Sequence, residues 1–181
     1  MRTTGLLVAL IAVPMALAEV EGCGCDPTDA ASMQARECSL TREAVAQAAG
    51  PPVFFVKDIN PTKPNRWLAL PSTARKGMYT LASMTPQERL RLWTGAIQKA
   101  VELWNDRWGL AYNGDDHRTQ CQPHVHIGKL LEGEETKDFL VVDGPGQIPL
   151  PREGGGIWVH PQGGKLHVHL GDEIAEPVLL R

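Results

Sequence analysis

One segment restricts the fold more than any other: Thr85-Pro86-Gln87-Glu88, followed by apolar residues at Leu90, Trp93, Ile97, Val101, Trp104 and Trp108. Threonine before proline, with glutamate three places after the threonine, is a capped helix start. Spacings of three and four then place the apolar side chains on one face, which must dock on another layer. Gly109 is read as the stop. At this spacing the tryptophans are read as core, with a ligand cage as the alternative.

On either side of this helix the sequence consists mostly of short β-type runs. Val53-Phe54-Phe55-Val56 and Trp67-Leu68-Ala69-Leu70 flank a turn running from Asn60-Pro61 to Pro64-Asn65, and make a candidate hairpin. Further strands are expected over residues 110–113, 124–127, 156–160, 165–170 and 178–181, the first two pairing antiparallel across Gly114-Asp115-Asp116. A shorter helix is expected over 39–49, with Ser39 as N-cap and Gly50-Pro51-Pro52 as terminator. Residues 132–155, acidic and then rich in glycine and proline, are read as a helical turn plus loop carrying no chemistry. Together these elements predict an α+β fold, an antiparallel sheet with one long helix packed on it and a short C-terminal β extension.

The 181 residues, 43% of them apolar, suffice for one domain and one core. A net charge of −3 without a basic run gives no electrostatic case for a nucleic-acid partner, so any phosphate must be gripped locally. Residues 1–18 carry Arg2, an apolar stretch and Ala16-Leu17-Ala18, the pattern of a signal peptide cleaved after Ala18. The stretch is shorter than the roughly 20 apolar residues that a bilayer span needs, which leaves an uncleaved anchor as the alternative. The expected location is the periplasm or the exterior.

Export makes the four cysteines a disulfide question. Cys25 and Cys38 enclose twelve residues, and a bridge there would contribute ~3 kcal/mol on the chain-entropy model. Cys23 and Cys121 remain, but four cysteines allow three connectivities and sequence does not choose among them. Cys23 as a lipidated terminus is a further alternative, against which Glu21 stands just before Gly22.

All six histidines, at 117, 124, 126, 160, 167 and 169, fall in the last third of the chain. On a strand, side chains alternate, so His124 and His126 share one face, as do His167 and His169. Paired neutral imidazoles suit nucleophilic or acid–base work and also metal binding, while a solvated sheet face is the bland reading.

The run Asn113-Gly114-Asp115-Asp116-His117-Arg118-Thr119-Gln120-Cys121-Gln122-Pro123-His124-Val125-His126-Ile127-Gly128 resembles the histidine-triad superfamily. There an asparagine ends the preceding strand, a glutamine follows seven residues later, and the next strand carries histidines at alternate positions. Val56-Lys57-Asp58-Ile59-Asn60-Pro61 with Trp67-Leu68-Ala69-Leu70-Pro71 resembles the first hairpin of the same superfamily. The resemblance spans roughly residues 53–128 and rests on two separated motifs. Within the superfamily, Arg118-Thr119-Gln120, the exported N-terminus and the cysteines Cys25 and Cys38 resemble the CDP-diacylglycerol diphosphatase family.

The resemblance implies covalent catalysis at the phosphorus of a nucleotide-containing small molecule or nucleotide-activated lipid. His126 would attack, with His124 supporting it and Asn113 and Gln120 stabilising charge on the phosphate oxygens. Asp58 would hold the ribose, and Ile59, Arg66 and Arg118 would complete substrate binding. No metal or other cofactor is required by this chemistry. Association with a membrane surface and a homodimer are carried over from the family. In these terms 1–18 is a signal peptide, 19–50 a disulfide-stapled segment, 51–131 the histidine-triad-like core and 132–181 a C-terminal loop and β extension. Two positions depart from the pattern: Gly128 stands where the third alternating histidine is usual, and Arg66 where the hairpin carries a histidine. Arg66 is read either as a phosphate contact or as a solvated residue.

Three rival readings follow from the same histidines. His167-Val168-His169-Leu170-Gly171-Asp172-Glu173 resembles the first metal motif of cupin barrels, and two imidazoles with Glu173 would hold a divalent ion. His160, His167 or His169 would otherwise converge with His124 and His126, and supply what Gly128 lacks. A catalytically silent nucleotide-binding module is the third.

Overall fold

A computed structural model describes residues 22–180. The expected signal peptide lies outside the described residues. Seven antiparallel strands form one sheet, with β1 (Val53–Lys57), β2 (Trp67–Pro71), β3 (Trp108–Tyr112), β4 (Val125–Lys129), β5 (Leu140–Val142), β6 (Ile157–Gln162) and β7 (Lys165–Leu170) in the order β1-β2-β4-β3-β6-β7-β5. Among the described residues the α-helices are α1 (Ser39–Ala46) and α2 (Pro86–Trp104). The α+β expectation holds. β6 pairs directly with β3, so the C-terminal strands continue the same sheet.

Helix α2 begins as its sequence dictates: Thr85 accepts from the Glu88 amide at 3.2 Å, and Glu88 accepts from the Thr85 amide at 2.7 Å. Its buried face is Leu92, Trp93, Ala96 and Ala100, while Val101 is 46% exposed. The helix ends before Gly109, because Asn105 adopts φ 54°, a left-handed conformation that asparagine tolerates. Trp108 therefore belongs to β3, where Gly109 is buried in the sheet. Periodicity alone would carry the helix one turn too far.

The pleat sorts each strand between the two faces of the sheet. Val53, Ala69, Leu110, Val125 and Ile127 meet α2 in the main core, which Ile157 and Val168 extend along the sheet. Phe54, Leu68 and Leu70, on the opposite face of the hairpin, pack with Ala44 of α1. Its hairpin register, Val53 opposite Pro71 and Lys57 opposite Trp67, keeps this alternation intact.

Elsewhere the expected elements shift. Ser39 is not a side-chain cap for α1; its hydroxyl donates to Gln120 Oε1 at 2.7 Å. Within residues 132–155, Leu140–Val142 forms an edge strand paired with β7, followed by a 3-10 turn at Pro145–Gln147. The expected strand at 178–181 has its last residue outside the described residues; the described part is the end of a 3-10 turn at Glu176–Val178, followed by a single bridge between Leu179 and Leu130. Arg66 takes the Leu179 and Leu180 carbonyls, which are then not used in a ladder.

The disulfide Cys23–Cys121 binds the N-terminal segment to the loop before β4, and Cys25–Cys38 closes a loop within that segment. They fit an oxidising compartment. Among the described residues no helix is long and apolar enough to cross a membrane.

Candidate functional site

Five of the six histidines lie on the sheet face opposite α2, since Val125 and Ile127, then Val159, and then Leu166 and Val168, take the helix side of their strands. They do not form one group. One row of register-matched residues runs Leu68, His126, Ala111, Trp158, His169 across β2, β4, β3, β6 and β7. β4 and β7 are thus three strand spacings apart, roughly 14 Å. An apolar plug of Ala111, Trp158, Ala175 and Leu179 fills the interval. The expected convergence of His160, His167 or His169 on His124 and His126 does not occur.

His124 and His126 lie at the base of a cleft of about 850 Å³ between the sheet, α1 and the C-terminal tail. The rings meet edge to face with centroids 5.0 Å apart. His124 Nδ1 donates to the Gln122 carbonyl at 2.8 Å, which leaves the lone pair on Nε2. His126 Nδ1 lies 3.3 Å from Glu176 Oε2, without the alignment of a hydrogen bond. A carboxylate in that position favours the tautomer with the proton on Nδ1 and the lone pair on Nε2.

Both rings are held neutral. Burial, followed by the Arg118 charge, lowers the His124 pKa from 6.5 to about 4, against the opposing pull of the Gln122 carbonyl and Glu176. Burial, then His124, Arg66, Lys63 and Arg118, holds His126 well below the ordinary value. The unfolded chain therefore binds more protons than the folded one below pH 6.5. Their contribution to stability is intact above pH 6.5 and is lost as pH falls toward 4. At ~1.4 kcal/mol per unit, His124 alone contributes on the order of 3 kcal/mol to this loss. Urea denaturation midpoints should fall across that window, and His124→Gln should flatten part of the slope.

Glu176, a residue the sequence analysis did not single out, organises the base of the cleft. Its Oε1 accepts from Lys63 Nζ at 2.7 Å, and its Oε2 lies 3.3 Å from both Arg66 Nη1 and His126 Nδ1. Asn113 holds it in place, since Asn113 Oδ1 accepts from the Ala175 and Glu176 amides at 3.0 Å each. No sequence signal marks Glu176, one acidic residue in a tail without periodicity.

The remaining predicted residues divide between cleft lining and scaffold. Asp58 and Ile59 line the rim, Asp58 Oδ1 accepting from the Asn60 amide at 2.9 Å and Ile59 98% exposed. Gln120 lines the cleft with its amide already engaged: Oε1 accepts from Ser39 and Leu40, and Nε2 donates to the Arg36 carbonyl. Arg118 is buried against the Tyr112 ring, bonded to the Tyr79 and Gln120 carbonyls and to Asp115, with Nε unpartnered. Arg66 is neither solvated nor part of the cleft lining. At 1% exposure it donates to the Glu176, Leu179 and Leu180 carbonyls at 2.8, 2.6 and 2.9 Å. Arginine suits this place because its planar fork serves several acceptors at once.

The tail also explains Gly128. A Cβ there would stand 3.0 Å from Leu179 Cβ and 3.2 Å from Arg66 Cδ; one on the facing Gly109 would stand 2.5 Å from Leu179 Cδ2. The two glycines form the slot that Leu179 fills, at 0% exposure. Burying a leucine in this way is worth about 1.5–3 kcal/mol. Restoring a third histidine by Gly128→His should therefore displace the tail and destabilise the fold by about 1–3 kcal/mol or more, measurable by thermal unfolding.

The cupin-like reading loses its carboxylate, because Glu173 Oε2 lies 3.2 Å from His117 Nε2 and the tail carries it away from His169. Instead Glu135, from the loop before β5, lies among His160, His167 and His169. The chain matches no protein-family model and no curated protein.

Proposed function

We propose that the chain is an exported hydrolase or nucleotidyl transferase of histidine-triad type, acting on a phosphoanhydride or phosphoramidate bond of a nucleotide-containing substrate. The observation that carries this reading is a neutral His126 ring at the base of an open cleft, with its Nδ1 facing the Glu176 carboxylate. Arg36, Arg42, Lys57, Lys63 and Arg118 line the cleft against Glu43, Asp58 and Glu176, a balance that suits an anionic ligand.

In the first step the His126 Nε2 lone pair bonds to phosphorus and the bond to the distal group breaks, that group leaving with its electron pair. The imidazole, still protonated on Nδ1, becomes cationic, and Glu176 balances the new charge. In the second step water bonds to phosphorus, the P–N bond breaks, a proton is released and the ring returns to neutral. His124, its Nε2 lone pair toward the site, serves as the proton acceptor beside the nucleophile. Asn113 acts mainly through Glu176, which it positions. A catalytically silent nucleotide binder would keep the cleft without the covalent step.

Brief exposure of the protein to nucleoside phosphoramidates, dinucleoside polyphosphates or CDP-activated lipids, followed by mass spectrometry, tests the reading. The expected result is a nucleotidyl adduct on His126. Nucleotide binding with neither adduct nor turnover would establish the silent module instead.

A further inference from the structure

The second histidine group has no part in the chemistry proposed above, and its atoms are arranged in a way a plain sheet face does not require. His160 Nδ1 donates to the Pro161 carbonyl at 3.3 Å, which fixes its tautomer and turns an Nε2 lone pair inward. His169 Nε2 lies 3.4 Å from that atom, and Glu135 Oε1 lies 3.6 Å from it. Acceptor groups thus converge on one point. For a metal bound at ~2.1 Å with tetrahedral angles, ligand atoms stand about 3.4 Å apart, close to the 3.4 and 3.6 Å measured from His160 Nε2, and all three atoms lie within 4.8 Å of one another.

The surroundings are those of pre-organised ligands. Trp158 stacks on His169 with centroids 3.5 Å apart, and Phe139 stacks on His167 at 4.1 Å. Thr136 Oγ1 lies 3.1 Å from His169 Nδ1, and His167 Nδ1 lies 2.6 Å from Glu135 Oε1. Each inward nitrogen thus has an outer partner on the opposite side of its ring, and the carboxylate is steadied by a third histidine, the supporting contacts that metal ligands use. Both ligand rings are buried, while the Glu135 side chain is 37% exposed and leaves a route from solvent.

We propose that His160, His169 and Glu135 bind one divalent first-row transition-metal ion, zinc matching the donor set and spacing best, with the fourth position left to water. His167 orients Glu135. The ion would fasten the 132–139 loop to the sheet, roughly three strands from His126, so it takes no part in the covalent chemistry.

Titration of the chelator-treated full chain, disulfides intact, with Co2+ is the test. One equivalent should give saturable visible absorption of a four-coordinate site, which Zn2+ abolishes by displacement, and Zn2+ should raise the thermal midpoint. Glu135→Gln, on an exposed loop where the fold is easily checked by circular dichroism, and His169→Gln should each weaken binding by about a hundredfold or more; His167→Gln should weaken it about tenfold. His126→Gln should leave it unchanged. Absence of a saturable signal in the folded protein would mean an imidazole–imidazole hydrogen bond only, and would overturn the proposal. So would binding that survives Glu135→Gln and His169→Gln, or that is lost with His126→Gln.

Discussion

Replacing His126 by alanine is expected to abolish the covalent adduct and to lower turnover of a nucleoside phosphoanhydride by at least about 10⁴-fold, with nucleotide affinity little changed. The substitution removes the atom that bonds to phosphorus while Lys63, Arg36 and Arg42 continue to line the cleft. Glu176→Gln makes the complementary measurement. It keeps the size and hydrogen-bonding reach of the side chain but removes the charge facing Nδ1, so kcat should fall by about 10²-fold with KM nearly constant. Single-turnover kinetics separate the two variants, since the glutamine form should still accumulate adduct, slowly. Undiminished turnover in His126→Ala would end the covalent mechanism.

The largest effect on stability is expected at Arg66. Arg66→Ala strips donors from the Glu176, Leu179 and Leu180 carbonyls and, among the described residues, leaves Lys63 as the cation paired with the Glu176 carboxylate. Losing one partner of a buried charged network costs about 3–5 kcal/mol. In a domain of this size that corresponds to a fall in Tm of roughly 10 °C. The tail should then leave the Gly109–Gly128 slot, carrying Glu176 away from His126 and lowering activity as well. Arg66→Lys should recover only part of the stability, because one ammonium cannot span three carbonyls. Calorimetry of both variants beside the parent gives the answer, and a parent-like Tm for Arg66→Ala would show that the tail docks through Leu179 alone.

Local rules made much of the architecture readable. The Thr85–Glu88 capping box, the Val53–Val56 and Trp67–Leu70 runs and the alternation of His124, Val125 and His126 rest on contacts within a few residues or on the pleat of one strand. For the same reason, it was legible that His124 and His126 would share a face. The end of α2 was less so: Trp104 and Trp108 satisfy helical spacing, and only the left-handed turn at Asn105 breaks it.

What sequence alone determined was the long helix, the first hairpin and most of the other strands, the two-faced pattern of the sheet and the histidine pair that points out of it, because each depends on period and local hydrogen bonding. Tertiary structure alone decided which cysteines pair, that Arg66 and the Gly109–Gly128 slot hold the tail, that Glu176 reaches His126 and that Glu135 joins His160 and His169. Those partners are 13 to 114 residues apart, separations over which no periodicity survives; only the folded arrangement of sheet, loops and tail brings them within a few ångströms.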